Sequence, residues 1–144
     1  MQDHDKIKRF LTTVPLFKGL DDRQLSRLTR RFSERSYGPG ESIVTQGTIG
    51  IGLFIMESGK ADAVREHPGG EKTVVNTFGP TEFFGELSLL DEEPRTASVV
   101  ATEPTKCLIL TQLDFLSALR EDADVSIALL KELARRYRRA VESL

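Results

Sequence analysis

The sequence predicts a mainly β domain, an antiparallel sandwich or closed roll, with helices at both ends. Three observations carry this. Between Ser33 and Thr111, short runs rich in Val, Ile, Thr and Phe are separated by Gly and Pro punctuation. On either side of that region the apolar residues recur instead at helical spacing. The chain has 144 residues, 39% hydrophobic and 29% charged, an ordinary globular composition long enough to bury one core.

Taken in order, Asp3 or Asp5 can cap a first helix through Ile7, Phe10 and Leu11, which Pro15 should end. Gly19-Leu20-Asp21-Asp22 is the next start signal, with Asp21 as N-cap and Leu25, Leu28 and Phe32 as the apolar stripe. Arg23, Arg27, Arg30 and Arg31 read as the solvated face of that helix. Strands are expected over 41–46, 53–56, 60–65, 72–78, 96–101 and 106–111, with turns at Gly38-Pro39-Gly40, Gly47–Gly50, Ser58-Gly59 and His67–Gly70. Leu113–Arg120 forms a short helix, and Asp122 or Asp124 caps a longer one running towards Leu144.

Composition removes several classes. A net charge of -2 argues against nucleic-acid binding driven by overall charge. One cysteine allows no internal disulfide and no cysteine-based zinc cluster. No stretch reaches the length of a membrane span, and the charged start Met1–Lys6 is no signal peptide, so a cytoplasmic location is expected.

The most informative stretch is Phe78–Leu90 with Pro94-Arg95-Thr96-Ala97. Gly85 permits close approach to the backbone, since a Cβ there would stand in the way. The amides of Glu86, Leu87 and Ser88 then open a short helix, where free N–H groups favour an anion. Arg95 offers a planar fork for two phosphate oxygens, which Lys cannot imitate. Glu86 cannot bind the anion, but it can accept a hydrogen bond from a sugar hydroxyl. A sugar acceptor beside a cradle for one phosphate describes a small nucleotide. The plainer reading is a surface turn in which Glu86 and Arg95 pair with each other or with water.

The run Phe84-Gly85-Glu86-Leu87-Ser88-Leu89-Leu90, a short acidic loop, and Pro94-Arg95-Thr96-Ala97 resembles the phosphate-binding cassette of the cyclic nucleotide-binding domain family. That family includes the bacterial catabolite activator group, kinase regulatory subunits and nucleotide-gated channels, and the likeness runs from about Val14 to the C-terminus. It implies a jelly-roll-like antiparallel β-roll in a single domain over residues 1–144. Helices would occupy 1–32, the roll 33–111 with the cassette at 84–97, and C-terminal helices 112–144. It also implies a reversible ligand, cyclic AMP or cyclic GMP, and no cofactor. Glu86 would hold the ribose 2′-hydroxyl and Arg95 the cyclic phosphate, with Gly85, Leu87, Ser88, Thr96 and Ala97 completing the cradle. Val75, Phe78 and Phe84 would line its apolar side, and Gly47, Gly50 and Gly59 would make tight turns. Thr96 matches a position whose hydroxyl can bond a guanine amino group, yet members with this Arg-Thr pair also bind cyclic AMP, which is the favoured ligand here. Two departures stand out: Gly79-Pro80-Thr81-Glu82 replaces the usual Gly-Pro-Gly-Asp, and Thr48 stands where an acidic residue is common.

A metalloenzyme built on a similar roll is the main rival class. Only His4 and His67 are available, one near the N-terminus and one in a turn, which is a poor basis for clustered imidazoles. Cys107 sits in an alternating strand and reads as a small core residue, while Asp91-Glu92-Glu93 lacks regular metal-ligand spacing. No catalytic residue and no metal site are expected, so the chain reads as a regulatory module and not an enzyme. The second reading is a degenerate relative that binds no nucleotide and serves in protein interaction.

In the last helix Leu130, Leu133, Tyr137, Ala140 and Leu144 form an a/d seam about two heptads long. It needs a partner surface, either the roll or the same helix of a second chain, which would make a homodimer. The resemblance offers Arg136, Tyr137 and Ala140 as a lid over the base. The basic residues Lys131, Arg135, Arg136, Arg138 and Arg139 are diluted by Glu132 and Glu142 and read as a solvated face. In the catabolite activator group a similar helix leads into a DNA-binding domain. None is expected within this chain, which would act as a stand-alone sensor or as part of something longer.

Overall fold

The computed structural model describes residues 4–144, so Asp3, one of the two candidate caps of the first helix, lies outside the described residues. The chain divides into two compact units, one of residues 31–115 and one of the described residues up to 30 together with 116–144.

In the helical unit, α1 spans His4–Leu11 and buries Ile7 and Leu11. Asp5 lies inside its first turn instead of capping it. The helix stops well before Pro15, because Thr12 and Thr13 turn their hydroxyls back onto the carbonyls of Arg9 and Phe10, both at 2.6 Å. Val14 is extended, as a residue before proline should be, and Pro15 opens a 3₁₀ turn through Phe17. Helix α2, Asp22–Thr29, starts as expected at Asp21. The Asp21 carboxylate accepts from the Gln24 amide at 2.8 Å, and the Gln24 side chain accepts from the Asp21 amide at 2.9 Å. Leu25 and Leu28 are buried, while Phe32 is buried beyond the helix end.

Helices α4 (Gln112–Glu121) and α5 (Ala123–Glu142) follow the last strand. Asp122 holds the N-cap position of α5, but its side chain caps nothing there. Its carboxylate instead accepts from Gln24 Nε2 at 2.8 Å and so ties the start of α2 to the start of α5.

The other unit is an antiparallel β-roll of eight strands in two four-stranded sheets. The strands are β1 (Ser33–Tyr37), β2 (Ser42–Val44), β3 (Gly52–Ser58), β4 (Ala61–Glu66), β5 (Lys72–Phe78), β6 (Phe83–Phe84), β7 (Ser98–Ala101) and β8 (Thr105–Thr111). One sheet runs β1-β8-β3-β6, the other β2-β7-β4-β5. Their facing sides close on one core: Phe54, Met56, Phe84 and Cys107 from the first, and Ile43, Val44, Ala61, Ala63, Phe78, Val99 and Ala101 from the second. Small residues on β4 and β7 leave room for the phenylalanines opposite.

Two strands escape the sequence pattern. In β1, Ser33–Tyr37, nothing is fully buried, because it is an edge strand. It exists through its pairing with β8, from Ser33 opposite Ile109 to Tyr37 opposite Thr105. The two-residue β6 pairs Phe84 with Phe54 and Phe83 with Ile55, which delivers the next residue, Gly85, to its position.

Candidate functional site

Gly85 leaves β6 at φ +94°, a left-handed conformation that suits glycine, and begins α3 (Glu86–Asp91). The first amides of that helix, Glu86, Leu87 and Ser88, have no partner within it. The helix closes at Glu92, whose amide donates to the Ser88 carbonyl at 3.1 Å. The Ser88 hydroxyl accepts from the Gly50 amide and donates to the Glu93 carbonyl, each at 2.7 Å. It thereby joins α3 to both the loop before β3 and the loop after α3.

The backbone of Arg95 is fixed on both sides: its amide donates to the Thr48 carbonyl at 2.7 Å, and its carbonyl accepts from the Gly47 amide at 2.9 Å. Thr48, where an acidic residue would be usual, serves here through its main chain. Arg95 as a whole is only 8% exposed. Its guanidinium lies 5.8 Å from the centroid of the Phe54 ring and points Nη2 at the Gly52 carbonyl, 3.4 Å away. A Cβ on Gly85 would stand 2.8 Å from Nη1, and one on Gly50 2.8 Å from Nη2. The two glycines therefore bracket the guanidinium. Gly47 and Gly59 take positive φ in turns, whereas Gly50 is needed for this close approach.

Burial lowers the Arg95 guanidinium from its ordinary value, and the nearby Glu86 carboxylate acts in the opposite direction. Arginine stays protonated throughout the physiological range. Glu86 is itself 4% exposed. The site thus keeps a cation and an anion together at the start of a short helix.

The other sequence-predicted residues fall into distinct places. Leu87 is half-exposed on α3. Phe84 stacks on Phe54 at 5.3 Å, and Phe78 leans on Phe84 at 5.2 Å. Both sit in the core cluster, so they meet the guanidinium indirectly, through Phe54. Val75 lies half-exposed on β5, Thr96 is exposed, and Ala97 packs against the core. The lid candidates lie on α5 in the helical unit. Arg136 pairs with Glu132 at 3.4 Å, and Tyr137 and Ala140 are exposed.

Gly50, Gly52 and Phe54 join the site without a local signal in the sequence, since the strand pairing of β3 brings them there. Gln46, Arg65 and Glu66 belong with them. Arg65 Nη1 donates to the Thr96 carbonyl at 2.8 Å, and the Gln46 side chain engages the Glu66 amide and carbonyl at 2.7 and 2.9 Å.

Among the described residues no group of three or more His, Cys, Asp or Glu could hold a metal ion. Burial, helped by Glu57, pushes the Cys107 thiol up to about 12, so it stays protonated and unreactive at neutral pH. No helix among the described residues is long and apolar enough to cross a membrane.

Residues 34–122 match the model of the cyclic nucleotide-binding domain. The Cyclic AMP receptor protein of Thermus thermophilus is 41% identical over 88% of this chain and 58% of its own length. The crystal structure of Thermus thermophilus catabolite activator protein superposes with a TM-score of 0.82 at 40% identity, covering 90% of this chain and 61% of that one. The regulatory domain of Toxoplasma gondii PKA, crystallised with cAMP, follows with a TM-score of 0.73 at 28% identity over 81% of this chain and 46% of that one. The chain spans about three-fifths of the length of the bacterial curated relatives it matches. On the match over residues 34–122, the chain belongs to the cyclic nucleotide-binding domain family.

Proposed function

We propose that this domain reversibly binds a cyclic purine nucleotide and signals its occupancy, as a regulatory and not a catalytic module, with residues 1–144 working as one domain. The observation that carries this reading is the Arg95 guanidinium, buried and bracketed by Gly50 and Gly85 beside the buried Glu86. A buried arginine fixed at the opening amides of α3 suits a phosphate with two free oxygens. In this reading Glu86 takes the ribose 2′-hydroxyl, and the amides of Glu86, Leu87, Ser88, Thr96 and Ala97 complete the cradle. Cyclic AMP is favoured. A Thr96 hydroxyl bond to a guanine contributes only about 0.5–1.5 kcal/mol, which permits cyclic GMP without selecting it.

Transmission runs through α5, whose Leu130 and Tyr137 are exposed and await a partner surface. If one position of that helix favours ligand, ligand must populate that position. Pairing with a second chain through the same seam would be one way to read this out.

Calorimetry with cyclic AMP, cyclic GMP and linear AMP tests the reading, followed by hydrogen exchange on the complex. The expected result is binding of both cyclic nucleotides, cyclic AMP ahead, the linear one far weaker, and slower exchange over Leu133–Val141. Absence of binding by either cyclic nucleotide would favour the rival reading of a protein-interaction domain. Protection confined to the cassette would make α5 a passive tail.

A further inference from the structure

Strands β4 and β7 pair from Ala61 opposite Ala101 to Val64 opposite Ser98, and there the ladder stops. Continued, the register would set Arg65 against Ala97 and Glu66 against Thr96. Side chains take over instead. The Gln46 amide engages both the N–H and the C=O of Glu66, at 2.7 and 2.9 Å, and the Gln46 backbone N–H donates to Ser98 Oγ at 2.8 Å. Arg65 reaches past the end of the ladder and donates through Nη1 to the Thr96 carbonyl at 2.8 Å. Arg65 is exposed, so packing does not account for its placement.

This matters because of peptide geometry. In a trans peptide the carbonyl of one residue and the amide of the next point in opposite directions. Holding the Arg95 carbonyl with the Gly47 amide, at 2.9 Å, therefore directs the Thr96 amide. Holding the Thr96 carbonyl with Arg65 directs the Ala97 amide in the same way. Both amides belong to the cradle of the proposed function, on which this inference rests.

We propose that Arg65 is a positioning residue for nucleotide binding: it orients the Ala97 amide by holding the Thr96 carbonyl, without touching the ligand. Its replacement then behaves differently from that of Arg95. One ammonium can serve a single carbonyl, so Arg65→Lys restores most of what Arg65→Ala loses, whereas Arg95→Lys cannot restore a two-pronged phosphate contact.

Two measurements on the full chain test this. In the unliganded protein, hydrogen exchange over residues 94–99 should quicken severalfold in Arg65→Ala while β3 and β8 stay unchanged. In titrations with cyclic AMP, Arg65→Ala should bind roughly fivefold to tenfold more weakly than wild type, with Arg65→Lys within about twofold of wild type. The proposal is overturned if exchange over 94–99 does not change, if Arg65→Ala binds as wild type does, or if Arg65→Lys is as weak as Arg65→Ala. The last outcome would mean that a single ammonium donor does not suffice at this position. If wild type binds no cyclic nucleotide, the functional reading fails separately. The exchange comparison then decides alone, with unchanged exchange overturning the brace and faster exchange supporting it.

Discussion

Arg95 and Arg136 were both offered by the sequence as ligand contacts, and their surroundings differ throughout. Arg95 has its amide, its carbonyl and its guanidinium each held, by Thr48, by Gly47 and by Gly52 with Phe54. Arg136 sits on a helix face and shares Glu132 with Arg135 and Arg139, at 3.4, 3.1 and 3.6 Å. The Arg136 side chain is 19% exposed, whereas Arg135 and Arg139 are 61% and 63% exposed, and exposed pairs of that kind contribute little. The lesson is that a charged side chain becomes a site when the backbone around it leaves it one environment. The cassette does this through glycines and strand ends, while α5 gathers three arginines around the one carboxylate of Glu132.

Cutting into each region shows the contrast most strongly. Phe84 packs on both Phe54 and Phe78 in the core, and Phe84→Ala should cost about 3–5 kcal/mol of stability. Leu130 on α5 is 65% exposed, and Leu130→Ser should change monomer stability by less than about 0.5 kcal/mol. Urea unfolding of the two variants beside wild type checks both. Similar losses would mean that the α5 seam is covered.

The same interior should show in the alkaline range. The Cys107 thiol is pushed up from an ordinary cysteine value of 9.0 to about 12 in the fold, by burial first and by Glu57 second. Above pH 9 the unfolded state releases a proton that the native state keeps, so this group's contribution is intact below pH 9 and is lost as pH rises towards 12. The slope approaches about 1.4 kcal/mol per pH unit. Cys107→Ala should flatten that slope, whatever it does to stability at neutral pH. An unchanged slope would assign the alkaline loss to other groups.

The smallest expected effect concerns the turn before the cassette. Thr81 replaces a common glycine and adopts φ 75°, yet the turn is kept, with the Thr81 amide donating to the Met56 carbonyl at 2.8 Å and the Gly79 amide to Glu82 Oε1 at 2.9 Å. A β-branched residue in that conformation is strained, so Thr81→Gly should raise stability by about 1 kcal/mol and leave nucleotide affinity unchanged. A loss of stability in thermal melts would contradict this.

What could be read from the sequence follows the same division. The cassette residues are neighbours along the chain, and strand β4, Ala61–Glu66, shows in its alternation of small apolar with polar residues before the turn at His67–Gly70. Asp21 was recognisable as a cap because its partner Gln24 lies one turn away. Strand β1 was not, since only β8 makes Ser33–Tyr37 extended. Of the two candidate caps of α5, Asp122 holds the position and Asp124 lies in the first turn, but the Asp122 carboxylate turns to Gln24, a partner 98 residues away that no local pattern shows. Along the sequence Gly50 reads as a turn residue, and its closeness to Arg95 emerges only when β3 is laid beside the cassette. Arg65 had no motif at all. Its role depends on where a ladder ends.

Affinity for cyclic AMP in wild type, Arg95→Lys and Arg95→Ala, each verified as folded by circular dichroism, tests the central claim most directly. Wild type should bind at micromolar concentration or tighter. Arg95→Ala should lose roughly 2–4 kcal/mol, about thirtyfold to a thousandfold, and Arg95→Lys should recover only part of it. Wild-type affinity in a folded Arg95→Ala variant would contradict the account, because the buried guanidinium would then not be what holds the phosphate.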